Sequence, residues 1–433
     1  MARYSGQQNH EIWRFLGKAC LITLLAVGCL VGGWAMGSLY PLPFLTGEAP
    51  RASSGAQASS AASEPQPESG PASEASSQAP VSSAAEQPGI PQDKGMFSPW
   101  YQAAWNRMQS MSLREMVAQV FVFRCPDSGA VKMIDDYQPG GYCLMANAFE
   151  GKTAEQVQKM TASYQNSSKV PMILCCDEEG GTVVRVSRNP ALAGEPFQSP
   201  QQVFAQGGMD AIVSDTQEKA ALLKSLGLNL NLAPVADVST NPANFMYDRS
   251  FGKGAAETAD FVRTSVQAYK SAGLGCTLKH FPGYGDNGDT HEGIVYDNRS
   301  LETLESSDFL PFQAGIEAGA PCVLVSHNIV ACLDPEAPAS LSPKVHQVLR
   351  EELGFTGIVM TDDLIMEAIR QHTGGENPAV AAFLAGNDIL LSSDSREDFD
   401  SLYQAVQDGT VTEERLQESV VRILAWKYSM GLL

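Results

Sequence analysis

The stretch KHFPGYGDNGDTHEG, residues 279–293, places two histidines, three acids, one lysine and four glycines in fifteen positions. A loop that only reverses direction needs the glycines and none of the imidazoles. In Asp289-Thr290-His291 the i, i+2 spacing lets a carboxylate meet an imidazole across a turn. Such a carboxylate orients the ring and makes its other nitrogen the better proton shuttle. The competing reading is a surface loop with an incidental histidine. Farther on, Asp362 and Asp363 are adjacent, and alternation along a strand sends their side chains to opposite sides. Asp362 is read as facing the chemistry, and Asp363 as a helix cap or a salt-bridged structural acid. A carboxylate nucleophile with a His–Asp pair as acid/base suits glycosyl transfer, a reaction usually run by two carboxylates.

Other residues fit a polar ligand. Lys279 and His280 offer donors to sugar hydroxyls, and a lysine inside a strand is rare unless paired. Asp177 offers acceptors to two hydroxyls, with Gly180-Gly181 letting backbone approach a ligand. Arg249 carries a planar donor fork. Each of these alone also reads as half of an ordinary rim ion pair.

These groups matter only if the fold gathers them. Short apolar runs recur at 120–125, 142–146, 172–177, 230–237, 276–280, 322–327, 358–363 and 388–393. Helical patterns lie between them, among them 153–166, 215–227, 255–273 and 342–354, the last with Ser342 as N-cap, Pro343 behind it and Gly354 past its end. Alternating strands and helices mean α/β class with a parallel sheet. Eight units predict a closed (β/α)8 barrel of the TIM type; an open doubly wound sheet is the alternative, weakened because no GxGxxG turn follows the first strand. In a barrel, chemistry collects where the strands end. Asp177, Asp237, Lys279-His280, Ser326-His327-Asn328 and Thr361-Asp362-Asp363 all stand at such ends.

The rest of the 433 residues divides simply. Residues 19–47 carry no charge, and Ala19–Gly37 is long enough, at about 1.5 Å per residue, to cross a bilayer core of roughly 30 Å. Arg3, Arg14 and Lys18 precede this run and no basic residue follows until Arg51, which predicts a cytoplasmic start (1–18), a transmembrane anchor (19–37) and an external remainder. A cleaved signal peptide, or cleavage with lipid attachment at Cys29, would also fit. Residues 38–95, rich in Ser, Ala, Pro and Glu, read as a disordered linker spanning on the order of 40 Å. Residues 96–433 suffice for one catalytic domain. A net charge of −20 without a basic patch argues against a nucleic-acid partner. Among nine cysteines there is no CxxC pairing or His/Cys ligand spacing, so no zinc site is expected.

KHFPGYGDNGDTH resembles the signature of the glycoside hydrolase family 3 β-N-acetylhexosaminidases. DEEGGTVVRV (177–186), NLAPVADV (231–238), DRSFG (248–252), GIVMTDDLIMEAI (357–369), AGNDILLSS (385–393) and the closing segment RILAWKYSMGLL (422–433) match its other landmarks in order. The resemblance spans 96–433 and implies the single-domain form. By motif it implies Asp362 as nucleophile, His291 as general acid/base and Asp289 as its orienting partner. It also implies Asp177, Arg249, Lys279 and His280 as contacts to an N-acetylglucosamine, and no metal or organic cofactor. The implied activity is retaining, exo-acting hydrolysis of terminal β-linked N-acetylglucosamine, from muropeptides or other glycans outside a bacterial membrane. Phosphorolysis, a β-glucosidase-like activity and an inactive carbohydrate-binding protein are the alternatives. Three departures stand out: a dyad loop about one residue short with Tyr284 where His is usual, Thr182 for a frequent Arg whose contact Arg185 could supply, and Thr361 for Ser before the nucleophile.

Overall fold

The structure, a computed structural model, describes residues 95–374 and 377–433. The predicted cytoplasmic start, membrane anchor and nearly all of the linker lie outside the described residues. Among the described residues no helix is long and apolar enough to cross a membrane.

Eight strands run β1 Phe121–Arg124, β2 Gly141–Cys143, β3 Ile173–Cys176, β4 Leu230–Asn231, β5 Gly275–Phe281, β6 Cys322–Val325, β7 Ile358–Thr361 and β8 Leu390–Ser392. Their order in the sheet is β7-β6-β5-β4-β3-β2-β1-β8 and every pairing is parallel. Parallel neighbours cannot be joined by a tight turn, so each step needs a crossover, here mostly helical. The seam between β7 and β8 is carried by the Met360–Ile389 bridge, with Thr361 N donating to Ile389 O (3.0 Å) and Ile389 N to Val359 O (3.0 Å). The result is a nearly closed α/β barrel. Because helices cover the outside and side chains fill the inside, the strands have two buried faces. Ile173, Leu174, Cys175 and Cys176 are all without exposure, the cysteines packing as small hydrophobes.

The predicted elements appear with shifted edges. Thr153 caps Ala154–Ser167 in a reciprocal box with Gln156. The pattern at 215–227 is the second half of Pro200–Ser225, which leaves helical geometry at Gly207 and Gly208. Ser342 accepts from Val345 N as expected, but the helix that it opens widens into a π turn at Val348–Glu352 before Gly354. The final helix is Glu413–Ser429 and stops short of the C-terminus. Strand four, predicted over 230–237, keeps only Leu230–Asn231 in its ladder. Pro234 has no N–H to give, and the chain rejoins the sheet through a bridge from Val235 to Lys279.

The end of the barrel where the strands begin carries no catalytic groups. An apolar cavity of about 490 Å³ there is bordered by Trp100, Gly275, Pro321, Trp426 and Met430. Beside Trp426, Lys427 is fully buried and donates only to neutral acceptors, Gln119 Oε1 (2.8 Å) and Gly140 O (3.0 Å). Burial pushes its amine down to about 7. Between that value and the ordinary lysine range the unfolded chain holds a proton that the folded one lacks, so stability rises with pH. Denaturant unfolding from pH 7 to 9.5 should therefore rise more steeply for the parent than for Lys427→Met, by up to about 1.4 kcal/mol per pH unit. Equal slopes would contradict the buried neutral amine.

Candidate active site

The chemistry-bearing side chains meet at the end of the barrel where the strands finish. Immediately after β3 the chain makes a small hairpin, Glu178–Gly180 against Val183–Val184. Alternation divides its acids. Glu178 points away from the mouth and accepts from the N–H groups of Arg185 (2.9 Å), Val186 (2.7 Å) and Ser187 (3.3 Å), which fixes the returning strand. Asp177 and Glu179 face the mouth. The turn needs glycine at 180 for its own packing: a Cβ there would lie 2.2 Å from Gln198 O. Gly180 thus admits the chain's own backbone, where the sequence suggested room for a ligand.

Two carboxylates and three cations form one cluster. Lys279 Nζ lies 2.6 Å from Asp177 Oδ1 and 2.6 Å from Glu179 Oε1. Arg249 lays its fork across Glu179, with Nε 3.0 Å from Oε2 and Nη2 2.7 Å from Oε1. Arg185 Nη2 reaches Asp177 Oδ2 at 3.5 Å, and its Nε is buried without a partner. Burial alone would raise the Glu179 carboxyl, but Arg249 and Lys279 overcome it and hold the group well below the usual carboxylate range. Paired in this way, a strand lysine with a 3% exposed side chain is tolerable.

His280 differs from expectation. Its Nδ1 is 2.8 Å from Oδ2 of the wholly buried Asp237, which also accepts from His280 N (3.0 Å) and, through Oδ1, from Tyr284 N (2.8 Å). Arg249 Nη2 sits 3.2 Å from His280 Nε2, and a guanidinium can only donate. The ring is therefore the neutral Nδ1–H tautomer, with no proton free for a sugar hydroxyl. His280 orients Arg249 instead.

Asp362 follows β7 directly. Its N–H donates to Val325 O (3.0 Å) and its Oδ1 accepts from Asp363 N (2.8 Å). Burial opposes its charge, but His327, His280, the Asp363 N–H and His291 outweigh burial and keep its carboxyl below the ordinary range. Asp363 turns the other way. It accepts from Ser393 N (3.1 Å), Ser393 Oγ (2.5 Å) and Ile365 N (3.3 Å), the structural acid that alternation implied. His327, beneath Asp362, bonds Asp363 O through Nε2 (3.0 Å) and Ser340 Oγ through Nδ1 (2.7 Å). Burial depresses its basicity despite Asp362, so the ring is neutral.

The loop after β5 carries the Asp289–His291 pair. Asp289 Oδ1 accepts from His291 N (2.9 Å) and lies 2.7 Å from its Nδ1, which leaves Nε2 open on a side chain 63% exposed. The field of His291 is among those acting on Asp362, so both stand at the same mouth. Gly283, read from sequence as a source of flexibility, has φ +116°, and a Cβ there would lie 2.4 Å from Asp308 Oδ1. It is required by close packing at the base of the loop, where Arg299 also binds Asp308 (2.7 Å) and Gly283 O (3.3 Å).

All eight candidates from the sequence thus lie on this rim: Asp177, Arg185, Arg249, Lys279 and His280 in one connected cluster, with Asp362 and the Asp289–His291 pair beside it. Two members were missed. Glu179 was visible as the i+2 neighbour of Asp177 on the same face, and Asp237 as a strand end, but nothing local named their partners.

The Glycosyl hydrolase family 3 N terminal domain model matches residues 112–426. A β-hexosaminidase of Xanthomonas campestris pv. campestris (strain B100) is 35% identical over 255 residues, 58% of this chain and 76% of that protein. Among solved structures, a glycoside hydrolase family 3 β-N-acetylglucosaminidase from Paenibacillus sp. FPU-7 superposes with TM-score 0.69 at 30% identity, covering 75% of this chain and 63% of that one. A β-N-acetylhexosaminidase from Beutenbergia cavernae gives 0.65 at 26% identity, covering 74% and 99%.

Proposed function

The chain belongs to glycoside hydrolase family 3, and from that premise we propose that it is a retaining β-N-acetylhexosaminidase releasing terminal β-linked N-acetylglucosamine. The observation that supports this reading is an ionised Asp362 sharing a barrel mouth with a His291 whose Nδ1 is held 2.7 Å from Asp289. Asp362 attacks the anomeric carbon while His291 Nε2–H gives its proton to the departing oxygen. Asp289 offsets the imidazolium charge that the reverse transfer creates. His291 then takes a proton from water, the water oxygen bonds the anomeric carbon, and the ester to Asp362 breaks. Asp177, Lys279, Arg249 and Arg185 hold the sugar through hydroxyls and the acetamido group, with His280 orienting Arg249. The unpartnered Arg185 Nε is the donor that compensates for Thr182.

The relatives' names supply the sugar. The wider setting rests on sequence alone: an anchor at 19–37 and a linker would hold the domain at the outer face of a bacterial membrane, within reach of cell-wall fragments. Purified protein should release aglycone from an aryl β-N-acetylglucosaminide far faster than from the matching β-glucoside. Release from neither would overturn the reading. Added phosphate should leave free sugar as product; a sugar 1-phosphate would move the acceptor from water to phosphate.

A further inference from the structure

We propose that Tyr284 is a positioning residue for the acid/base, holding the turn that carries His291 through a buried bond to Thr290. This rests on the reading of His291 given above and adds the device that places it.

Within the exposed tip the side chains alternate. Asp289 and His291 are 31% and 63% exposed, yet Thr290 between them has no exposure. Its hydroxyl meets the Tyr284 hydroxyl. Tyr284 is itself 2% exposed, packed edge-on against His280 and Phe245 with ring centroids 5.2 Å away in each case. Its N–H donates to Asp237 Oδ1 (2.8 Å), so the carboxylate that orients His280 also seats Tyr284. Burial pushes the phenol well above its ordinary range, and it stays a neutral O–H across the working pH.

The other side of Thr290 is tied as well. Its carbonyl accepts from Ala368 N (3.3 Å), on the helix Glu367–His372 that follows Asp362, and Ile294 N reaches Gln371 Oε1 (3.3 Å) on the same helix. One buried residue therefore joins the top of β5 to the segment behind β7, with a member of the dyad on each side of it. Anything that frees Thr290 moves Asp289 and His291 together relative to Asp362. The sequence marks the spot, because Tyr284 is where the resemblance to the family breaks.

The test is leaving-group dependence of kcat/KM, which reports the first, proton-requiring bond cleavage. A nitrophenolate needs little protonation, whereas an alkoxide needs it fully. Tyr284→Phe, Thr290→Val, the double variant and His291→Ala are compared with the parent in the full chain, on nitrophenyl and alkyl β-N-acetylglucosaminides. Tyr284→Phe and Thr290→Val should each lose about tenfold on the alkyl substrate and under about twofold on the aryl one. The double variant should lose no more than either single, since both remove one bond. Equal losses on both substrates would make Tyr284 merely structural and overturn the proposal. If His291→Ala discriminates between the substrates while Tyr284→Phe and Thr290→Val match the parent, the clamp is wrong and the acid/base assignment stands. If His291→Ala does not discriminate, the acid/base assignment falls and takes the clamp with it.

Discussion

Asp362→Asn lowers kcat/KM on an aryl β-N-acetylglucosaminide by about 10⁴-fold or more while shifting the melting temperature by a few degrees at most. The size of the loss follows from what is removed. An amide cannot form the glycosyl ester, and the remaining groups only bind and protonate. The small effect on folding follows from the local bonds. Asn is isosteric, its carbonyl oxygen still accepts from Asp363 N, and its backbone N–H still donates to Val325 O. Asp363→Asn is the informative contrast. Its carboxylate ties the end of β7 to Ser393 after β8, so that substitution costs stability first and activity second. Kinetics and thermal melts on the two variants separate chemistry from scaffold at neighbouring positions.

Glu179→Gln should destabilise the domain by about 3–5 kcal/mol and abolish most activity with it. Glu179 is the only group that contacts both Lys279 and Arg249, whose side chains are 3% and 17% exposed. Without its charge two cations remain buried against each other, and Asp177, shared with Arg185, cannot answer both. The pH dependence carries a sign. The folded carboxyl lies below its ordinary value of 4.5, so its stabilisation is complete above that value and fades as pH falls toward the folded one. Urea unfolding at several pH values should therefore show the parent–variant gap widest near neutrality and narrowing below pH 4.5. A gap that widened in acid would mean that the cluster is not held by Glu179.

Much of this site could be read from the chain because its logic is local. The eight strands stood out as unbroken apolar runs because parallel strands are buried on both faces. Alternation separated Asp362 from Asp363, and the i, i+2 spacing paired Asp289 with His291. What stayed hidden depends on residues far apart in the chain. Glu179 meets Arg249 seventy positions away and Lys279 across the mouth, so its importance appears only when three loops converge. His280 looked like a sugar donor until Asp237 and Arg249 were seen to occupy both its nitrogens. Gly283 looked like a hinge because glycine permits both motion and close packing, and only the neighbouring Asp308 distinguishes them. The shortened fourth strand has a local cause in Pro234, although an apolar run around a proline reads from sequence as continuous.

The most direct measurement uses a donor that forms the intermediate faster than it leaves. Purified protein is incubated with a fluorinated N-acetylglucosaminyl donor of slow turnover, digested, and the mass-shifted peptide sequenced by fragmentation. The adduct should sit on Asp362, in the peptide containing Thr361-Asp362-Asp363, and be absent from Asp362→Asn. A covalent sugar on any other residue, or rapid inactivation with no adduct at all, would contradict Asp362 as the nucleophile.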